Sequence, residues 1–480
     1  MAMKGQKIGL DANCPIVTAG PNAGVLAPTV ADPDLVAGTG AGWVRINFVR
    51  GPWSAPDDAT EFEGHDWAGT YRAIIDGFKS RGLKIFGLIG HDIMPAEANG
   101  KLDWLFRSPA AQMSPDDVAE ANRWIDRYAH YFGQIVQPFQ GDLECVESFN
   151  EPDDWHASNR NWIHPEWFAR MLQQIYHQVR DELGINQVKL ISGPLQGLEI
   201  NNNGAADYVR RIYQEGKRLF GWGQAARFPF DGVGYHLYLQ REPTSSWAAH
   251  EQALRRRYRD YIQGMMRVID DAEGPGASKK LYMSEIGWES NDATPEDYDF
   301  QAKNLDLLLS LVADDPAVAV AIWFCTQDFI IEGNIPQFYG LYRPDGLSPQ
   351  SCKPAFQAFK ALCGAQPVSG DEFACTNQQI VNAFYDAAGQ AGQDGWDWLE
   401  SAGLARLIHI RPETYSGPAI DLLPNLTGDQ KARIKARLPK QATPVPIKKA
   451  FKGLAGKGMY MWMLDRCESG SPQAIAAKAQ

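Results

Sequence analysis

Over roughly the first 365 residues, short apolar runs alternate with longer stretches in which apolar residues recur at helical spacing. Eight of the short runs read as strands: KIGLDA (7–12), WVRINF (43–48), LKIFGLIG (83–90), ECVESFN (144–150), VKLISGP (188–194), GVGYHLY (232–238), LYMSEIG (281–287) and VAVAIWFC (318–325). The stretches between them carry helix start signals. Ser114-Pro115-Asp116-Asp117 precedes the periodic run VAEANRWIDRYAHYFGQIV, which gives an N-cap hydroxyl, a proline at the first helical position and acids in the first turn. Thr294-Pro295-Glu296-Asp297 repeats the pattern, and residues 164–184 form another helical run stopped by Gly184. Strands that alternate with helices imply parallel βα units. An open doubly wound sheet alternates in the same way, but no G-x-G-x-x-G follows the first strand, and eight units favour closure. The predicted fold class is α/β, a (β/α)8 TIM barrel spanning 1–367.

Beyond that point the pattern changes. TNQQIVNAFYDAAGQAGQDGWDWLESAGLARLIHI and GDQKARIKARLPK (428–440) read as helical, so 368–480 is expected to be a small helical C-terminal domain whose role the residues leave open. The last forty or so residues are basic and contain the apolar run MYMWML (459–464).

Composition narrows the function classes. The chain of 480 residues is 44% hydrophobic and 22% charged, enough for a sizeable core. A net charge of -12 argues against nucleic acid or an anionic membrane as partner. No run of eighteen apolar residues exists to span a bilayer. The first residues pass almost directly into a strand without an apolar leader, which leaves the compartment open between cytoplasm, export by another route and export with a leader already removed. Seven cysteines show no C-x-x-C spacing; Cys352, Cys363 and Cys375 lie close enough in sequence for a disulfide. The 15 tryptophans serve either core packing or stacking on the apolar faces of sugar rings.

In a parallel barrel the reactive groups sit at the C-terminal ends of strands. The fourth strand ends in Asn150-Glu151-Pro152, where a carboxylate leaves the sheet. The seventh carries Glu285 inside an apolar run, where an ionised group needs partners. Two carboxylates about 5 to 5.5 Å apart are what glycoside hydrolysis with retention requires. The other strand ends offer Arg45, His91, His236 with Tyr238, and Trp323. Each also has a plain reading, as an ion-pair member, a core histidine or a packed ring.

Taken together, Arg45, His91, Asn150-Glu151, His236-x-Tyr238, Glu285 and Trp323 resemble clan A of the glycoside hydrolases, most of all its cellulase family, family 5, with family 39 close behind. Residues 335–357, IPQFYGLYRPDGLSPQSCKPAFQ, are similar to the clan's eighth loop and final helix, and the resemblance covers about residues 5 to 365. It implies Glu151 as general acid/base and Glu285 as nucleophile. It implies Asn150 on the 2-hydroxyl of the reacting sugar, Tyr238 and Arg45 beside the nucleophile, and His236 orienting the acid/base. Trp323 would be the platform under that sugar, and His91 a further contact. Trp53, Trp155, Trp247 and Trp288 follow strand ends, and each stands evenly between sugar subsite and packing.

The expected function is therefore a retaining β-glycosidase acting on a β-linked oligo- or polysaccharide, with a carbohydrate partner and no cofactor or metal. The competing readings are a glycan-binding barrel that has lost turnover, and a metal-dependent barrel enzyme. The strand ends lack the His and Asp clustering that the last of these needs.

Overall fold

The computed structural model describes residues 6–12, 32–49, 61–62, 65–95, 98, 100–153, 162–196, 204–242, 246–290, 294–331, 335–344, 347 and 351–364. Beyond these it describes four short strands in the C-terminal region. The chain divides into two compact units, one of residues 1–344 and 353–365, the other of 345–352 and 366–480.

Eight parallel strands form the first unit's core: β1 (Ile8–Asp11), β2 (Trp43–Phe48), β3 (Lys84–Ile89), β4 (Leu143–Ser148), β5 (Lys189–Ile191), β6 (Gly232–Leu237), β7 (Lys280–Ile286) and β8 (Val318–Trp323). Each pairs with its successor, and β8 returns to β1 with Ile8 opposite Ala321, so the sheet closes. The (β/α)8 barrel read from the alternation is the fold observed. Helices wrap it: α1 (Pro33–Gly38), α2 (Trp67–Lys79), α3 (Pro115–Val136), α4 (Pro165–Tyr176), α5 (Gly204–Phe220), α6 (Trp247–Glu273), α7 (Pro295–Asp314) and α8 (Pro354–Leu362). None of the described helices is long and apolar enough to cross a membrane.

The start signals work as the sequence implies. Ser114 Oγ accepts from Asp117 N at 3.2 Å, and Thr294 Oγ1 accepts from Asp297 N at 3.2 Å. Each satisfies one of the amides that a helix leaves unpaired at its first turn. α3 then buries Trp124, Ile125, Tyr128, Phe132 and Ile135 on one face. Each such side chain contributes roughly 1.5–3 kcal/mol.

Inside the barrel, Trp43, Phe86, Cys145, Ile191, Tyr282, Val320 and Ile322 pack as one buried layer. Side chains on a strand alternate between faces, so the residues two further along also point inward. These are Arg45 on β2, Glu147 on β4 and Ser284 on β7, joined by Asp11 of β1. The core thus passes from apolar to ionised in one step toward the mouth.

β7 breaks this alternation. Against β6 it advances three residues, Tyr282 to Glu285, while its partner advances two, Gly234 to His236. Against β8, Met283 to Ile286 spans the two steps from Ala321 to Trp323. The extra residue is a β-bulge, and it turns Glu285 toward the side that Tyr282 already faces.

The final helix is locked by a buried cation. Lys353 Nζ donates to Asp328 Oδ1 at 2.7 Å, Ser290 Oγ at 3.0 Å and the Phe338 carbonyl at 3.2 Å. This is the lysine of the Lys-Pro-Ala segment. Cys145, Cys325 and Cys363 are buried thiols, so Cys363 is not half of a disulfide; Cys375 lies outside the described residues.

Within 368–480 the described residues are four short strands where helix was expected. Leu407–Ile410, Val445–Pro446, Tyr460–Asp465 and Gln473–Ala476 form an antiparallel sheet. LIHI and MYMWML are short, apolar and rich in β-branched or large side chains, which suits a pleated surface. The helix candidate 428–440 lies outside the described residues.

Candidate active site

The turn that leaves β4 is built tightly. Phe149 and Glu151 both take left-handed backbone angles, φ 66 and 48, on either side of Asn150. Residues with a Cβ adopt this region at a cost of about 1–3 kcal/mol, and it tends to mark functional turns. The turn is held by Phe149 N donating to the Ile89 carbonyl at 2.9 Å and to the Tyr128 hydroxyl at 3.0 Å, and by Glu151 N donating to the Pro194 carbonyl at 3.0 Å. Gly193 lets the exit of β5 approach, since a Cβ there would lie 2.4 Å from the Ser148 carbonyl oxygen.

Below the mouth, one guanidinium meets three carboxylates. Arg45 Nη1 donates to Asp11 Oδ2 at 2.6 Å and to Glu285 Oε1 at 2.9 Å, and Nε donates to Glu147 Oε1 at 2.7 Å. Burial opposes the charge on Arg45, but these carboxylates outweigh it and hold the guanidinium firmly protonated. Burial raises the Glu147 carboxyl, and Arg45 only partly offsets that.

Glu285 is 8% exposed. Burial alone would push its carboxyl up. The charges of His236 and Arg45, with hydrogen bonds from Tyr238 and Arg45, bring it below the ordinary glutamate range. The Tyr238 hydroxyl donates to Oε2 at 2.6 Å. His236 is fully buried, with Nδ1 2.7 Å from Glu151 Oε1 and 3.5 Å from Glu285 Oε2. Burial disfavours its charge, but the two carboxylates prevail and raise its affinity for a proton. One donor atom from each of Glu151, His236 and Glu285 lies within 4.8 Å of the others. By composition this trio can hold a cation. As arranged, Glu285 accepts from Arg45 at Oε1 and from Tyr238 at Oε2, and His236 Nδ1 is turned onto Glu151, while His236 Nε2 is buried without a hydrogen-bond partner.

Five of the residues expected from the strand ends thus meet at one place, Arg45, Glu151, His236, Tyr238 and Glu285, and Asn150 lies in the turn just before Glu151. Asn150 Oδ1 is buried without a hydrogen-bond partner. His91 stands at the rim, its side chain 28% exposed and its ring 5.5 Å from that of Phe149.

Two expectations are corrected. Trp323 is wholly buried and donates its indole N–H to the Tyr339 carbonyl at 3.1 Å. By alternation Val320 and Ile322 face inward, so Trp323 faces out, while the next ring, Phe324, just past the strand, lies near Tyr238 and Tyr339. Phe324 is half-buried, its ring centre 6.5 Å from Tyr238 and 5.9 Å from Tyr339. Trp288 is also a packing residue, 5% exposed and set edge-on to His250 and against Phe300. Trp247 packs on the same pair, 5.4 Å and 5.8 Å away. Trp53 and Trp155 lie outside the described residues.

The sequence reading missed Asp11, Glu147, Asp153, Gln196, Phe324 and Tyr339. Asp11 and Glu147 gave the same signal as Glu285, an ionisable group in an apolar strand. Gln196 sits in a two-residue strand too short to show a period, and Tyr339 lies on a connection.

No protein-family description and no curated protein matches the chain, but solved structures do. A GH5-4 broad-specificity endoglucanase from Clostridium longisporum is 10% identical, with a TM-score of 0.51, over 75% of this chain and 97% of that one. A family 39 glycoside hydrolase from the gut symbiont Bacteroides cellulosilyticus WH2 is 13% identical, with a TM-score of 0.42, over 76% of this chain and 66%, just under two thirds, of that one. An exo-β-1,4-mannosidase from Opitutaceae bacterium strain TAV5 is 17% identical, with a TM-score of 0.46, over 75% and 59% of the two chains. These neighbours are glycoside hydrolases, and what the chain shares with the endoglucanase at this identity is the (β/α)8 fold.

Proposed function

We propose that this chain is a retaining β-glycosidase acting on a β-linked oligo- or polysaccharide. The observation that carries the reading is the carboxylate pair at the barrel mouth, with oxygens of Glu151 and Glu285 within 4.8 Å of each other. That spacing suits direct attack on the anomeric carbon, whereas inversion needs about 6.5–9.5 Å to admit a water.

The roles follow from the environments. Glu285, held ionised by Arg45 and Tyr238, is the nucleophile. It attacks the anomeric carbon as the glycosidic bond breaks, and Glu151 delivers a proton to the departing oxygen. Glu151 then takes a proton from the water that hydrolyses the glycosyl-enzyme. His236, shared between the two carboxyls, steadies Glu151 through both steps. As charge leaves Glu285 on bond formation, the Tyr238 hydrogen bond weakens and is restored on hydrolysis. Asn150 Oδ1 accepts from a sugar hydroxyl, and Phe324 with Tyr339 offers an apolar wall for the ring. The endoglucanase with the same fold is consistent with such a substrate.

The test is hydrolysis of a panel of aryl β-glycosides and β-linked polysaccharides, with Glu285→Gln as control and NMR of the first anomer released. Turnover by the wild type alone, with β product first, is expected. An α anomer first would refute retention, and full activity in Glu285→Gln would refute the nucleophile.

A further inference from the structure

Both oxygens of the Glu151 carboxyl are held. His236 Nδ1 lies 2.7 Å from Oε1, and Gln196 Nε2 donates to Oε2 at 3.3 Å. Gln196 comes from a two-residue strand, Leu195–Gln196, that runs parallel to β6 with Gln196 in register with His236. The two side chains on Glu151 are therefore neighbours across one backbone ladder. The Gln196 backbone N–H donates to Asp153 Oδ1 at 2.8 Å, and Asp153, 6% exposed, lies two residues beyond Glu151. A ring closes: Glu151 through the chain to Asp153, from Asp153 to the Gln196 backbone, and from the Gln196 amide back to Glu151.

We infer that Gln196, anchored by Asp153, is a positioning residue that aims the Glu151 carboxyl at the leaving-group oxygen; the inference rests on the glycosidase reading above. A general acid must present its proton along the line of bond cleavage, and small misplacements are costly to the rate. As the glycosidic C–O bond breaks, its electron pair goes to the departing oxygen, the Glu151 proton follows, and Glu151 is left as a carboxylate. An amide suits this cycle because it stays neutral and its N–H donates to a carboxyl oxygen. Nε2 holds Oε2 without taking the acidic proton, which is left to face the departing oxygen. Burial pushes the Asp153 carboxyl up to about 8, so it adds no full second charge beside Glu151 at neutral pH.

The test uses the full chain and a series of aryl β-glycosides of the best sugar, with leaving groups from dinitrophenol to unsubstituted phenol. The readout is kcat/KM, which reports the bond-breaking step. Gln196→Leu is expected to lower it about 10–100-fold for phenol and within about threefold for dinitrophenol, whose departure needs no proton. Asp153→Ala should show the same tilt. Asp153→Asn should not, since it keeps a neutral acceptor for the Gln196 amide. Equal loss across the series overturns the inference, because a general disturbance of fold or nucleophile would act on every leaving group; no loss overturns it too. A wild type silent on every sugar overturns the glycosidase reading and the inference with it, whereas an active wild type with an unchanged Gln196→Leu overturns the inference alone.

Discussion

Arg45 sets one guanidinium against the carboxylates of Asp11, Glu147 and Glu285, in a layer with almost no solvent. Replacing it by Met would leave these acids facing one another across a low-dielectric gap, and removal of one partner of a buried pair typically costs about 3–5 kcal/mol. Arg45→Met is expected to unfold at lower denaturant and to move the acidic limb of the kcat/KM profile to higher pH. The shift follows because Glu285 loses a charge that keeps it ionised. An acidic limb that stays in place would show that Arg45 does not set the Glu285 ionisation. Glu285 and Asp153 pull stability in opposite directions. Glu285 titrates below free glutamate, so its contribution is complete above about pH 4.3 and is lost as pH falls through the lower folded value. Asp153 titrates at about 8, so its contribution is complete below about pH 3.9 and is lost as pH rises toward 8. Asp153→Asn should therefore gain melting temperature relative to the wild type between about pH 5 and about pH 8. A difference independent of pH would mean that Asp153 is ionised in the folded protein.

At the scale of the elements, caps and strands follow local rules, and the sequence shows them. Ser114, Thr294 and the proline after each stand where the periodicity begins, and both hydroxyls cap. The bulge in β7 follows no local rule. Strict alternation from Tyr282 would send Glu285 outward, and only pairing with β6 and β8 shows the inserted residue that turns it in. The anchor of α8 is of the same kind. Lys353 is wholly buried and its charge is met by Asp328 and two further oxygens supplied by the loops after β7 and β8. Burial lowers its proton affinity, and Asp328 offsets part of that. Lys353→Met would strand the Asp328 carboxylate and is expected to destabilise the protein by about 3–5 kcal/mol, read as a lower urea midpoint. Lys353→Met with Asp328→Asn should recover part of the loss, and failure to do so would mean that the pair is not what holds the helix.

For the whole molecule, the groups of the site come from residues between Asp11 and Tyr339, and the barrel closes where β8 meets β1. The chain truncated after residue 365 is therefore expected to hydrolyse the same small aryl glycoside within a few-fold of the full chain. A collapse of kcat on that substrate would show that the second unit contributes to catalysis or folding. If long polysaccharides alone suffered, the second unit would serve their capture.

Within the barrel, the sequence by itself determined where strands and helices lie, because burial period and caps act over a few residues. It also pointed to Glu151 and Glu285 at two strand ends, though not to Asp11 and Glu147 beside them. What only the tertiary structure decided is where those groups turn and what they touch. Phe324 rather than Trp323 lies beside Tyr238, while Trp323 is spent on the Tyr339 carbonyl. Trp288 is spent on His250 and Phe300. Gln196 reaches Glu151 from 45 residues away, because Gln196 pairs in register with His236. Contacts of this kind depend on closing the barrel, and no local pattern in the chain encodes them.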